Sequence, residues 1–442
     1  MKPLCRRDFT RITAGTLAAS AGPFFLFPDR ALASRKTLRI AQWTHFLPEY
    51  DQWFDGEYVK QWGEHHDTTV IVDHIPVDRI SARAAREVAA GAGHDLFVFP
   101  WPPAMYQRHA IDHTEVYESV SHRHGNTNEL GHKSSFNPAT GQYFAFVDSW
   151  IPFPVHYFGD YWSEVNTPYG PTNYDTLRAG CRKIRATQGI PCGVALVPGL
   201  ESNITLHSLL WAFRTFTHDE DGNVTINRSY MTIQALKYIK ALYNEGGTRE
   251  ALTWGPSGNV RAMLERKTSC TTNAISLLRA AEKENPDLAR NILLRPALLG
   301  PGGVRAAPHV TSSYVVWKFA QNQDGAKQFL IDLIDNSGII FEKSGFCNFP
   351  IYQDTVPNLI NRLSKDPNGG PRYKYEELKD ALKWTRNLGH PGCATPQAME
   401  VFETFVIPRM FGRVVKGGLS PEDAARAAEK EVNSIYEKWR KV

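Results

Sequence analysis

The sequence predicts an α/β fold in two lobes, each a mainly parallel sheet flanked by helices, with a cleft between them. Three observations carry this reading. Short β-rich runs alternate with amphipathic helical runs along the chain. One run, "HDLFVFPWPP", is wholly apolar, as a strand covered on both faces must be. At 442 residues the chain is also long enough for two separate cores.

The elements follow in order. "KTLRIAQW" alternates apolar and polar residues and predicts a strand. "PEYDQWFDGEYVKQWGEHH" predicts an amphipathic helix, and "TTVIVDHIPV" the next strand. "ISARAAREVAAGAG" predicts a helix stopped by Gly91 and Gly93. "HDLFVFPWPP" follows as a buried strand ended by Pro100. "GQYFAFVDSWIPFPVHYF" is extended and aromatic, interrupted by Pro152 and Pro154, and reads as a crossing between lobes. Asn173 caps a helix in "GPTNYDTLRAGCRKIRATQG", and "IPCGVALVPG" is expected to be a strand. Helices are expected in "ITLHSLLWAFRTF" and in "YMTIQALKYIKALYNEGG", which closes at Gly246. "NVRAMLERKTSCTTNAI" reads as helix then strand, "NILLRPALLGPGG" as strand then turn, and "HVTSSYVVWKF" as a strand. "QDGAKQFLIDLIDN" and the tail "SPEDAARAAEKEVNSIYEKWRKV" are helical, the latter with the Ser-Pro start and early acids of a helix N-terminus.

The first 33 residues have another character. Arg6, Arg7 and Arg11 precede a weakly apolar run that ends in "ALA" at Ala31–Ala33. A basic start, a short apolar segment and a small-residue site make a secretory signal, cleaved near Ala33. "RRDFT" resembles a twin-arginine export signal. The mature chain is therefore expected in a periplasm or outside the cell. The signal holds five of the 50 basic and two of the 46 acidic residues, so the mature net charge is close to +1. That balance gives no field for nucleic acid or an anionic membrane.

Five cysteines remain after cleavage, with no C-x-x-C motif. An oxidising compartment permits disulfides, and the expected pairs are Cys181 with Cys192, across a short loop, and Cys347 with Cys393. Cys270 is left over. The alternative reading is that all five are small buried apolar residues.

The order of segments resembles the family 1 extracellular solute-binding proteins of ABC importers, the maltose-binding-protein-like group. "GQYFAFVDSWIPFPVHYF" is similar to that family's first lobe crossing, although the usual Tyr-Asn is absent. "PYGPTNYDTLRAGCRKI" is similar to its Pro-x-Thr-Trp-x-Glu-Leu helix start, with Tyr174 and Asp175 in place of Trp and Glu. "MLERKTSCTTN", "LLGPGG" and "GLSPEDAARAAEKEVNSI" continue the pattern over the whole mature chain. The resemblance implies the type II periplasmic binding protein fold. Residues 34–148 and 296–336 would form the N-terminal lobe, and 149–295 and 337–442 the C-terminal lobe. It further implies a monomer without a cofactor that captures a small solute by hinge closure and passes it to membrane permease subunits.

In such a fold, ligand contacts sit on loops at strand ends facing the cleft. Those positions are Trp43 and His45 after the first strand, Trp101 after the third, and Asp148 and Trp150 on the crossing. In the second lobe they are Glu201, Asn203, Trp254 and Asn273; His309, Thr311 and Ser312 in "HVTSS" complete the set. Rings with neutral donors and acceptors suit a carbohydrate-like ligand, since a flat face covers the C–H face of a pyranose. Each Trp has a competing core reading, and Asp148 and Glu201 can equally serve as caps. A polyamine or other small polar solute is an alternative ligand. A periplasmic carbohydrate-active hydrolase using Asp148 and Glu201 is the alternative from another class. No G-x-S-x-G or H-E-x-x-H motif supports an enzyme. The histidine groups His65–His66 and His122/His124 are read as solvated rather than metal-binding.

Overall fold

The computed structural model describes residues 35–441. The twin-arginine signal and the cleavage site near Ala33 lie outside the described residues. The strands are β1 (Lys36–Trp43), β2 (Thr68–Ile75), β3 (Leu96–Phe99), β4 (Phe136–Asn137), β5 (Gln142–Tyr143), β6 (Phe146–Ile151), β7 (Val155–Phe158), β8 (Cys270–Thr272), β9 (Ile292–Arg295), β10 (Val310–Val316) and β11 (Phe349–Pro350). Apart from the small β4–β5 hairpin they form two sheets. The larger runs β11-β6-β10-β3-β1-β2 and the smaller β8-β7-β9.

The α/β architecture is as expected, but strand direction corrects the expectation of mainly parallel sheets. Among the strand pairs of the described residues, β1–β2 and β1–β3 alone run parallel. β10 is antiparallel to both β3 and β6, and β11 is antiparallel to β6. In the smaller sheet β7 is antiparallel to β8 and β9. The reason is the crossing. After Ile151 the chain leaves the larger sheet and three residues later enters the smaller one as β7. It returns through β9 and β10. An outgoing and a returning strand laid side by side must be antiparallel, so the crossing imposes that direction on both sheets. β11 then brings part of the 337–442 segment to the edge of the larger sheet.

Local signals place most helices where the sequence puts them. Ile80–Ala90 stops at Gly91, whose φ of 60° is the left-handed conformation open to glycine. Asn173 and Thr176 form a reciprocal capping box on Tyr174–Gln188. Ser420 accepts from Asp423 N at the start of Pro421–Arg440. The expected helix after β1 is broken by a π turn at Phe54–Tyr58. The strand expected in "IPCGVALVPG" does not form. Pro191 and Pro198 lack the N–H a ladder needs, and the segment instead lies against β8 through Gly193 N to Cys270 O (2.8 Å). Among the described residues, no helix is long and apolar enough to cross a membrane.

The described cysteines are unbridged. Cys181 Sγ lies 3.7 Å from Cys270 Sγ, with Cys192 also beside it; burial pushes the Cys181 thiol well above its usual range. Cys347 is buried and donates to Gly345 O at 3.8 Å, whereas Cys393 is half-buried near Lys133.

One buried ionic cluster joins the helix Ser276–Glu284 to the segment near residue 370. Arg279 pairs with Glu282 and Asp366 and donates to Tyr375 Oη at 2.9 Å. Lys374 reaches Glu282 at 2.5 Å and Gly370 O at 2.8 Å. Two cations and two anions balance here, and hydrogen bonds occupy the remaining donors. Glu282→Ala would leave Arg279 and Lys374 with Asp366 alone. It is expected to cost about 3–5 kcal/mol, read as a lower urea midpoint at unchanged slope.

Candidate functional site

The residues that follow the parallel strands converge on one cavity of about 480 Å³. Phe46 comes after β1, Val77, Asp78 and Ser81 after β2, and Trp101 after β3. The rest of the lining is made by Pro198–Ser202, by the loop Trp254–Ser257 with Asn259, and by Phe402, Glu403 and Phe405, the last group lying against Trp101.

Trp101 is set by its neighbours. It stands in "FPWPP", where prolines fix the backbone, and Pro100 O accepts from Thr311 N at 3.1 Å. The indole donates from Nε1 to Glu403 Oε1 at 2.7 Å and its ring lies 6.1 Å from that of Phe402. Glu403 ends the helix Pro396–Glu403, which Thr395 caps. Burial pushes the Glu403 carboxyl up to about 7, against hydrogen bonds from Ser81 and Trp101 that favour its ionised form.

Glu201 Oε1 accepts from Ser257 N at 3.0 Å and so ties the helix Leu200–Ala212 to the Trp254 loop. Asn203 is buried on that helix and donates from Nδ2 to Phe402 O at 2.7 Å, while its Oδ1 is buried without a partner. Asn259 donates to Thr271 Oγ1 at 3.1 Å and accepts from Asn273 Nδ2 at 3.3 Å. Asn273 therefore braces the wall from behind.

Of the positions proposed from sequence, Trp101, Glu201 and Trp254 line the cavity together. The others are placed elsewhere. Trp43 stacks on His45 (5.4 Å) and packs behind Phe46 (5.2 Å). His45 is spent on Asn348 Oδ1 (3.0 Å) and on the backbone of Leu47. Trp150 is 2% exposed and packs edge-on against Phe349 and His309. His309 is hydrogen-bonded to Arg386 O at 3.0 Å, and Thr311 to Ser313 Oγ at 2.7 Å; Ser312 is buried in the same strand. Asp148 accepts from Ser149 Oγ (2.7 Å) and Tyr314 Oη (3.3 Å) inside the larger sheet. It does not share the cavity with Glu201, so the carboxylate pair required by the hydrolase reading is not brought together there.

Sequence reasoning missed Phe46, Asp78, Ser81 and the whole contribution of Phe402, Glu403 and Phe405. One signal was available for the last group: Glu403 is a lone acid inside the apolar run "VFETFVIP". His66 and His124 pair with Asp332 and Asp335. Among the described residues, no group of three or more His, Cys, Asp or Glu is arranged to hold a metal ion.

No family model matches the chain. Sequences from Brucella abortus (strain 2308) and Brucella suis biovar 1 (strain 1330), whose names propose binding proteins, are each 24% identical over 178 residues. That match spans 40% of this chain and 43% of the length of those curated relatives. Solved structures match far more of it. A maltose-bound MalE3 of T. maritima superimposes with a TM-score of 0.73 at 18% identity, over 90% of this chain and 99% of its own. A sugar transporter protein of Arthrobacter chlorophenolicus with bound laminaribiose gives 0.74 at 13% identity, over 90% and 99%. An ABC substrate-binding protein of Listeria monocytogenes in complex with cycloalternan gives 0.73 at 14% identity, over 91% and 99%. At these identities the likeness shows the fold: two α/β lobes with a cleft, as in periplasmic binding proteins.

Burial acts in opposite directions on two sets of groups. It lowers His45, His113, His207 and His309 to about 4, so all four are neutral. The unfolded chain protonates its histidines below about 6.5, so this set loses stability as pH falls from there toward 4. Burial raises Asp148 and Glu403 to about 7. These native carboxyls keep protons that the unfolded chain releases, so their contribution is lost as pH rises from about 4 toward 7. Asp148→Asn keeps the shape and removes the charge. It should raise the melting temperature relative to wild type more at pH 8 than at pH 5. Melting curves with a pH-independent difference would show that ionisation of Asp148 is not the cost.

Proposed function

We propose that this chain is the solute-binding component of an ABC importer. It captures a carbohydrate-like solute — a sugar, oligosaccharide or polyol — by hinge closure and delivers it to a membrane permease. The observation that carries this reading is the cavity itself. The rings of Phe46, Trp101, Trp254 and Phe402 line a space of about 480 Å³ with carboxylates among them. Such a set suits a polyhydroxylated ligand. The sugar-bound proteins of the same fold support the ligand class. In this reading the lobes are 34–148 with 296–336 and 149–295 with 337–442. Contacts on both favour the closed form, so binding shifts an open–closed equilibrium.

The same reading places the mature protein in the periplasm after twin-arginine export. Changing Arg6 and Arg7 together to Lys should leave uncleaved precursor in the cytoplasmic fraction; normal processing of that double variant would remove the twin-arginine route.

Binding is tested by thermal shift against a carbohydrate and polyol library. A solute at a hundred times its Kd stabilises the native state by about 2.7 kcal/mol, a rise of several degrees. Trp254 is half-buried and Trp150 is core. Trp254→Ala should therefore weaken binding by about ten-fold, as loss of ring stacking does, with little change in unliganded melting. Trp150→Ala should instead cost about 3–5 kcal/mol of stability. A Trp254→Ala protein that binds normally would move the site elsewhere.

A further inference from the structure

Three thiols meet beside the smaller sheet. Cys181 stands on the helix Tyr174–Gln188, Cys192 follows soon after that helix ends, and Cys270 opens β8. Each is at most 2% exposed. Cys181 Sγ lies 3.7 Å from Cys270 Sγ, and the Cys192 thiol is beside Cys181.

The backbone holds them there. Gly246 ends the helix Tyr230–Gly246, and a Cβ at that position would stand 2.7 Å from Cys181 Cβ. A glycine is therefore what lets the helix carrying Cys181 come in so far. Cys192 N donates to Gly246 O at 2.8 Å. Ser269 N to Pro191 O and Gly193 N to Cys270 O, each 2.8 Å, tie the segment around Cys192 to the segment around Cys270.

The local pair Cys181 with Cys192 is the one suggested by spacing along the chain, and it leaves Cys270 over. Contact in space favours a different pair. A disulfide needs its sulfurs about 2.05 Å apart. Sulfurs already touching reach that separation by small side-chain rotations. We infer that under oxidising conditions Cys181 and Cys270 form a disulfide across 89 residues of chain, joining the helix Tyr174–Gln188 to β8 and leaving Cys192 as the free thiol. The oxidising compartment is the export reading above, but the choice of pair is a property of the fold.

The bond forms while the chain is still folding, before the helix packs down and the thiols are buried. The thiolate of one cysteine attacks a disulfide oxidant, such as glutathione disulfide, giving a mixed disulfide and one released thiol. The thiolate of the other cysteine then displaces the second half of the oxidant. The two protein thiols lose two electrons and two protons, and the oxidant leaves as two thiols. The bridge has a place in the cavity wall. Thr271, next to Cys270, donates to Gly193 O at 2.7 Å and accepts from Asn259 Nδ2 at 3.1 Å, and Asn259 lines the cavity. Bonding Cys270 to the helix pins the strand that holds this part of the lining.

The test begins with the mature chain, unfolded and reduced in urea and refolded in a glutathione redox buffer. Free thiols are alkylated and the protein is digested without reductant. The expected product is a cross-linked peptide pair holding Cys181 and Cys270, with Cys192 alkylated. A Cys181–Cys192 bridge, or alkylation of all three, overturns the inference. The melting temperature with and without reductant is the second readout. Oxidised wild type should melt a few degrees higher, because a bridge closing a long loop restricts the unfolded chain. Cys192→Ala should keep that gap and Cys270→Ala should lose it; any other pattern overturns the pairing. A bridge in refolded protein together with free thiols in a periplasmic extract leaves the pairing standing and counts against the export reading.

Discussion

The rest of the structure depends on a two-way crossing: β6 runs out of the larger sheet into β7 of the smaller one, and β9 leads back to β10 alongside it. Each outgoing strand is paired antiparallel with its returning neighbour, β6 with β10 and β7 with β9. The link Pro152–Phe153–Pro154 suits that passage. Its prolines have no N–H to leave orphaned where the ladder changes sheet. Their carbonyls are still used, by Ile275 N and Asn273 N. Because β10 sits between β3 and β6, the larger sheet is continuous only through the returning strand.

The cavity follows from that arrangement. β1, β2 and β3 all end toward it, and their following loops supply one wall. The other wall is held by side-chain-to-backbone bonds rather than by a ladder: Glu201 to Ser257 N and Asn203 to Phe402 O. A wall of this kind takes its position from a few bonds at specific atoms. Glu201 is thus both a lining residue and a brace of the wall.

Much of the fold was legible in the sequence because its signals are local. β1, β2 and β3 follow apolar alternation or continuous apolar runs, and Gly91, Asn173 and Ser420 mark helix ends by chemistry that acts within a turn. Strand direction was not legible, because it is set by where the chain has been between strands and not by any residue in them. The site was legible in part. Trp254 stands in a glycine- and proline-containing loop and stays half-buried, whereas Trp101, also flanked by prolines, is buried against Phe402 while still lining the cavity. Trp150 also lies near prolines, but it belongs to a strand buried along its full length, and burial on both faces overrides the local cue. The pairing of Glu403 with Trp101 was not legible, because 302 residues separate the two.

That last distance has a consequence for how the protein comes into being. Trp101 is made 302 residues before Glu403. A chain emerging from the ribosome therefore has the first wall of its cavity long before it has the last. No intermediate length carries a finished site, because Phe402, Glu403 and Phe405 close the side that earlier segments leave open. Until that segment is made, one side of the cavity has no residues to close it.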